Sequence, residues 1–133
     1  MKKHLILGMG CDRGVSLETL NTALDQALEK IDQSRDAVMA LASIDKKSDE
    51  LALLALAEQQ SWSLHFFSAA QLAQVEVPNP SAVVMKYMGT PAVAEAAAIL
   101  AAQASMQDLL VEKHKYRGVD GKNATVSIVK SLL

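Results

Sequence analysis

A chain of 133 residues, half of them hydrophobic and 21 % charged, is ordinary globular material. It can bury roughly two-thirds of its unfolded surface as one domain over residues 1–133. A net charge of −2 gives no pull toward nucleic acid or a membrane, and 4 % aromatics leave little for base stacking. One cysteine excludes an internal disulfide, the basic start Met1–His4 leads into too short an apolar run for a signal peptide, and no stretch reaches the ~20 apolar residues of a membrane helix; a cytoplasmic protein is expected.

Residues 4–9 read as a buried strand that runs into three closely spaced glycines, Gly8, Gly10 and Gly14. Ser16 is placed to cap a helix whose apolar positions Leu17, Leu20, Leu24, Ala27, Leu28 and Ile31 recur every three or four residues. Residues 38–44 are apolar on both faces, as an interior strand requires. Ser48 is expected to cap the next helix, with Asp49 and Glu50 in its first turn and an end near Gln60. A short strand over 64–67 precedes Ser68 and Gln71, a capping-box pair for a brief helix.

Pro78-Asn79-Pro80 forms a rigid loop, after which Ser81 caps a two-turn helix that ends at Gly89. Thr90 as N-cap and Pro91 as first helical residue would restart the chain as the alanine-rich helix 91–104, whose small side chains suit close packing on a sheet. Residues 109–111 and 124–129 read as the last strands, with 113–123 as the loop of an antiparallel hairpin. This alternation predicts a three-layer α/β/α fold. Its mixed sheet has about five strands, parallel in the first half and closed by the C-terminal antiparallel hairpin. Ligands of such sheets sit beyond the carboxyl ends of the parallel strands, where Gly8–Gly14 and Ser43–Asp49 would gather.

The glycine turn is the first candidate site. A strand that opens through glycines onto a helix N-terminus brings free N–H groups near a carboxylate or phosphate, and Arg13 adds charge. The pattern matches neither the dinucleotide fingerprint nor a Walker A loop, and a tight strand–helix turn also explains it. Cys11 could gain thiolate character at a helix start, yet His4, His65 and His114 sit on separate elements and offer it no base; a small buried thiol is the alternative. The same scatter argues against a metal site. After the second strand, Lys46 or Lys47 could face the glycine turn and pair with a substrate carboxylate while Asp45 orients it, or the segment is a solvated helix cap. Thr90 and Glu95 could add an anion-binding helix start. Lys113, Lys115, Arg117, Lys122 and Lys130 form a basic patch that is either a solvated hairpin or a cover for an acidic ligand.

Several segments taken together resemble one family. Gly8-Met9-Gly10-Cys11-Asp12-Arg13-Gly14 is similar to the G-x-G-C-R-R-G turn of the CobE/CbiG C-terminal family of cobalamin biosynthesis proteins. Leu41–Asp45 with Lys47 and Glu50 resembles its second block; Phe66-Phe67-Ser68 and Val77–Ser81 resemble its third. Gly89-Thr90-Pro91-Ala92-Val93-Ala94-Glu95-Ala96-Ala97 resembles its G-T-x-x-V-A-E-A-A segment, and Lys113 with Lys115 its basic ending. Asp12 departs from the pattern, since the family more often carries a second arginine there.

The resemblance implies a setting. In the anaerobic pathway this domain is the C-terminal part of the enzyme that opens the δ-lactone of cobalt-precorrin-5A and releases acetaldehyde; in the aerobic pathway it stands alone. The present chain is expected to be the free-standing form. Its expected ligand is a precorrin or cobalt-precorrin intermediate, a large apolar ring bearing acetate and propionate groups, with other corrin-pathway enzymes as partners and no cofactor. The candidate binding residues are Gly8, Gly10, Arg13, Gly14, Ser43, Asp45, Lys47, Gly89, Thr90, Lys113 and Lys115. An accessory or carrier role leads. Hydrolysis of the lactone of a precorrin-5A-like intermediate is the alternative, with Asp45, Glu50 or Cys11 as catalytic candidates; a phosphate- or nucleotide-binding domain is a third possibility.

Overall fold

Five strands form one mixed sheet in the computed structural model, which describes residues 3–90 and 92–131. They are β1 (Leu5–Cys11), β2 (Val38–Ile44), β3 (Ser63–Phe67), β4 (Leu109–Arg117) and β5 (Asn123–Lys130), in the order β3-β2-β1-β5-β4. β1, β2 and β3 are parallel; β5 runs antiparallel to both β1 and β4. The three-layer, mixed-sheet expectation therefore holds, and β2 is interior as its apolar sequence requires.

Strand alternation divides the core into two layers. Leu5, Leu7 and Met9 face α1 (Leu17–Lys30) and α2 (Leu51–Gln60), together with Leu20, Leu24, Leu53, Leu56 and Trp62. Ile6 faces the other way, toward α3 (Ala69–Ala73) and α5 (Ala94–Ala102), where Ala96, Ala97, Ala98 and Ile99 are buried. The alanines let α5 lie close on β1. A Cβ on Gly8 would stand 1.8 Å from the Ala94 carbonyl oxygen, so only glycine admits this approach.

Local signals account for several boundaries. The Ser16 hydroxyl accepts from Thr19 N and starts α1; Ser68 and Gln71 form the expected capping box at α3. Ser81 caps α4 (Ala82–Met88), and Gly89 closes it at φ 77°. Two helix starts differ from expectation. Ser48 does not cap α2: Asp45–Lys47 form a 3-10 turn, and Glu50 occupies the N-cap without capping, because its carboxylate is held by Gly14 and Arg13. Thr90 does not cap α5 either. Its hydroxyl donates to the Ala92 carbonyl at 3.1 Å, and the helix begins at Ala94 after Val93; Pro91, expected as the first helical residue, lies outside the described residues.

The largest difference is the final hairpin. Residues 113–117, expected in a loop, continue β4 to Arg117, and the turn is confined to residues 118–122. An edge strand tolerates such a charged run, and lysines there discourage pairing with another chain. The Asp120 carboxylate fastens the turn to α1 by accepting from Ser16 N, Thr19 Oγ1 and Lys122 N, contacts that pull its carboxyl down to about 2.

Candidate functional site

A cleft of about 360 Å³ opens where the carboxyl end of β1 meets the start of α5. Gly10 of β1, Val83, Val84, Tyr87 and Met88 of α4, and Asn123 and Thr125 of β5 line it. The place follows from the sheet. Ligand clefts of α/β folds lie beyond the carboxyl ends of parallel strands, and here α5 presents its N-terminus, capped by no side chain among the described residues, at that end.

Lys47, Lys113 and Lys115 bring positive charge to the cleft. Continuing β4 past residue 113 decides the last two. Period-two alternation sends Lys113 and Lys115 to the α5 side and His114 and Tyr116 to the α1 side, where His114 Nε2 meets Gln26 Oε1 at 2.7 Å and Tyr116 packs on the core. Burial pushes the His114 imidazole below its usual value, with Lys30 acting in the same direction. Lys47 follows the 3-10 turn after β2 and is only 8 % exposed. Among the described residues no carboxylate forms an ion pair with its ammonium, and no acceptor takes a hydrogen bond from it. Its stem is buried while its ammonium opens on the cleft, where water or the acidic group of a ligand can complete it.

Glu95 is the buried carboxylate of the cleft, 1 % exposed. The Lys113 ammonium lies 3.2 Å from its Oε2, yet no donor is aligned to hydrogen-bond that oxygen. Asp12 also borders the cleft; its Oδ2 accepts from Asn123 N at 2.8 Å and Nδ2 at 2.9 Å. Asn123 joins the site from the far end of the chain with no motif to mark it. Tyr87 and Val83, both exposed on α4, had their signal in the apolar content of that short helix.

Other candidate residues are occupied elsewhere. The Arg13 guanidinium donates to Asp49 Oδ1 at 2.6 Å, Glu50 Oε2 at 3.2 Å and the Lys46 carbonyl at 2.5 Å, and Gly14 N donates to Glu50 Oε1 at 3.0 Å. This clamp joins the β1–α1 turn to the β2–α2 connection. Its hydrogen bond raises Arg13 and lowers the Asp49 carboxyl from their usual values. Gly14 needs its left-handed φ of 80°, and Gly8 lies beneath α5. The Ser43 hydroxyl is buried and donates to the Met9 carbonyl at 2.6 Å. Asp45 is exposed and outside the cleft lining, while Gly89 and Thr90 shape the link between α4 and α5. Cys11 edges the cleft, but burial pushes its thiol up to about 11, against a nucleophilic thiolate near neutral pH. The described residues hold no cluster of three or more His, Cys, Asp or Glu placed for a metal ion, and none of their helices is long and apolar enough to cross a membrane.

Sheet order, crossing helix and cleft define a three-layer α/β domain with its cavity at the carboxyl end of a short parallel set. The family model described as Cobalamin synthesis G C-terminus matches residues 5–129, and the chain belongs to that family. It is 33 % identical over 126 residues to a Cobalt-precorrin-5A hydrolase of Priestia megaterium, covering 95 % of this chain and 32 % of the relative. To Protein CobE of Sinorhizobium sp it is 33 % identical over 100 residues, 74 % of this chain and 65 % of the relative. The chain thus spans less than two-thirds of either curated relative. A crystal structure of CobE, a protein from the cobalamin biosynthetic pathway, superposes with a TM-score of 0.82 at 36 % identity, covering 97 % of this chain and 91 % of that one.

Proposed function

We propose that the cleft binds a precorrin or cobalt-precorrin intermediate through its carboxylates, giving the chain an accessory or carrier role in corrin ring formation beside other enzymes of that pathway. The observation that carries this reading is Lys47, whose stem is buried and whose ammonium, without an ion-pair or hydrogen-bond partner among the described residues, faces a cleft it shares with Lys113 and Lys115. Those ammonium groups suit acetate and propionate groups, and Gly10 with the start of α5 leaves backbone room beside them. Val83, Val84, Tyr87 and Met88 offer the ring an apolar wall. The volume is near the small end of the ~300–1,000 Å³ usual for ligand sites, so the cleft takes one edge of a macrocycle.

Uroporphyrin III, a tetrapyrrole octacarboxylate, is the probe. Titration followed by visible absorption should show saturable binding that Lys47→Met and Lys113→Met each weaken by about ten-fold. No spectral change, or affinity untouched by both substitutions, would sink the site. Arg13→Ala should leave affinity within about two-fold, since that side chain serves the clamp and is exposed.

A hydrolase acting on a lactone intermediate is the second reading, favoured by the likeness to a Cobalt-precorrin-5A hydrolase. It lacks a placed base among the residues first considered: Asp45 lies outside the cleft, Glu50 is tied to Arg13 and Gly14, and the Cys11 thiol is pushed up. Turnover of a lactone intermediate by the purified chain, abolished by Asp45→Ala, would displace the carrier reading.

A further inference from the structure

We propose that Glu95 is an internal competitor for Lys113, a built-in carboxylate that occupies this lysine in the empty cleft and keeps the binding of a ligand carboxylate reversible. The inference rests on the carboxylate-binding reading above and assigns Glu95 a role in setting affinity. Lys113 divides its surroundings between the buried Glu95 and the open cleft. Its ammonium is near enough to Glu95 for charge pairing, at 3.2 Å, but the Oε2 it approaches receives no aligned hydrogen bond. The contact is therefore held by charge without directional locking, and a rotation about the lysine stem can turn the ammonium toward the cleft.

The surroundings of the pair support competition over simple anchoring. Lys47 and Lys115 face the same cleft without an ion pair to any described carboxylate, so Lys113 alone among the cleft lysines carries a resident partner. The other carboxylate bordering the cleft, Asp12, is taken up by Asn123. A ligand carboxylate entering between Lys47 and Lys113 must share Lys113 with Glu95. That competition lowers affinity and quickens release, as suits a protein that hands on what it holds.

The experiment uses the full chain and uroporphyrin III, with equilibrium titration and stopped-flow dissociation. Glu95→Gln keeps the side-chain shape and removes the charge. It should bind about ten-fold more tightly than the wild type, most of the gain appearing as slower dissociation. In a Lys113→Met background the same substitution should change affinity by about two-fold or less, because the lysine being competed for is gone. Glu95→Asp, which withdraws the carboxylate by one methylene, should give a smaller gain, and it carries the comparison if Glu95→Gln does not fold. Equal or weaker binding by the folded Glu95 variants overturns the competitor role, and so does a gain that persists without Lys113. Absence of binding by the wild type instead overturns the carboxylate reading beneath it.

Discussion

Lys47→Met should stabilise the fold and weaken ligand binding at the same time, a pairing of signs that a structural lysine would not give. Lys47 is 8 % exposed and its ammonium meets no carboxylate or hydrogen-bond acceptor among the described residues. Burying an unpaired neutral polar group costs ~1–3 kcal/mol by mutational measures, and an ammonium kept wholly from water costs more. Because the Lys47 ammonium opens on the cleft and retains water, its cost is reduced to that of a partly desolvated polar group, about 1 kcal/mol. Methionine keeps an unbranched, flexible apolar stem and so preserves the packing that the lysine methylenes provide. For a chain of this size that gain raises Tm by about 4 °C. Uroporphyrin III affinity should fall by at least about ten-fold, the loss expected for one charge-assisted hydrogen bond. Thermal unfolding by circular dichroism and visible-absorption titration of the same preparation measure both. Raising salt should reduce wild-type affinity more than that of the variant. If Tm falls by several degrees, Lys47 serves the fold and the reasoning from its isolation is wrong; unchanged affinity would be equally damaging.

Gly8→Ala places a Cβ 1.8 Å from the Ala94 carbonyl oxygen and should cost about 3 kcal/mol or more, read as a lowered urea midpoint; a loss below about 1 kcal/mol would show that α5 can shift freely. Cys11 should alkylate slowly at pH 7, with a rate that climbs as pH approaches 11, because burial holds the thiol protonated; a plateau by pH 8 would contradict this. Asp120 has a folded carboxyl depressed from 3.8 to about 2, so its contribution to stability is present above pH 4 and is lost as pH falls through about 2. Asp120→Asn should therefore flatten the fall in urea midpoint between pH 4 and pH 2; an unaltered acid limb would remove Asp120 from the account.

Elements defined by local chemistry were legible in the amino-acid order. The helix face from Leu17 to Ile31 shows in its three- and four-residue spacing, and Ser16, Ser68 and Ser81 were recognisable as caps because each bonds to a backbone amide three residues on. The two expected caps that differ, Ser48 and Thr90, share one cause: their neighbourhoods are claimed by longer-range contacts. Glu50 reaches across to Gly14 and Arg13, 36 and 37 residues away, and Thr90 turns inward to Ala92. A sequence window cannot weigh those partners against a local cap.

The site divides along the same line. Lys47, Lys113 and Lys115 were identifiable as cations near the right strands, and Gly10 as backbone left open for a ligand. Arg13 looked equally suited, since nothing local reveals that Asp49, Glu50 and the Lys46 carbonyl converge on its guanidinium. The alternation Lys113-His114-Lys115-Tyr116 was present to be read, but charge and glycines made it resemble a loop; pairing with β5 turns it into a strand and sorts its side chains onto two faces. By itself, then, the amino-acid order determined the elements, the α/β class and the family, because these depend on periodicity, caps and motifs within short windows. Which lysines share a cleft, which one of them has a resident partner, and that this partner is Glu95 were decided only by the tertiary structure, because burial and pairing depend on residues brought together from β1, the turn after β2, α4, α5, β4 and β5.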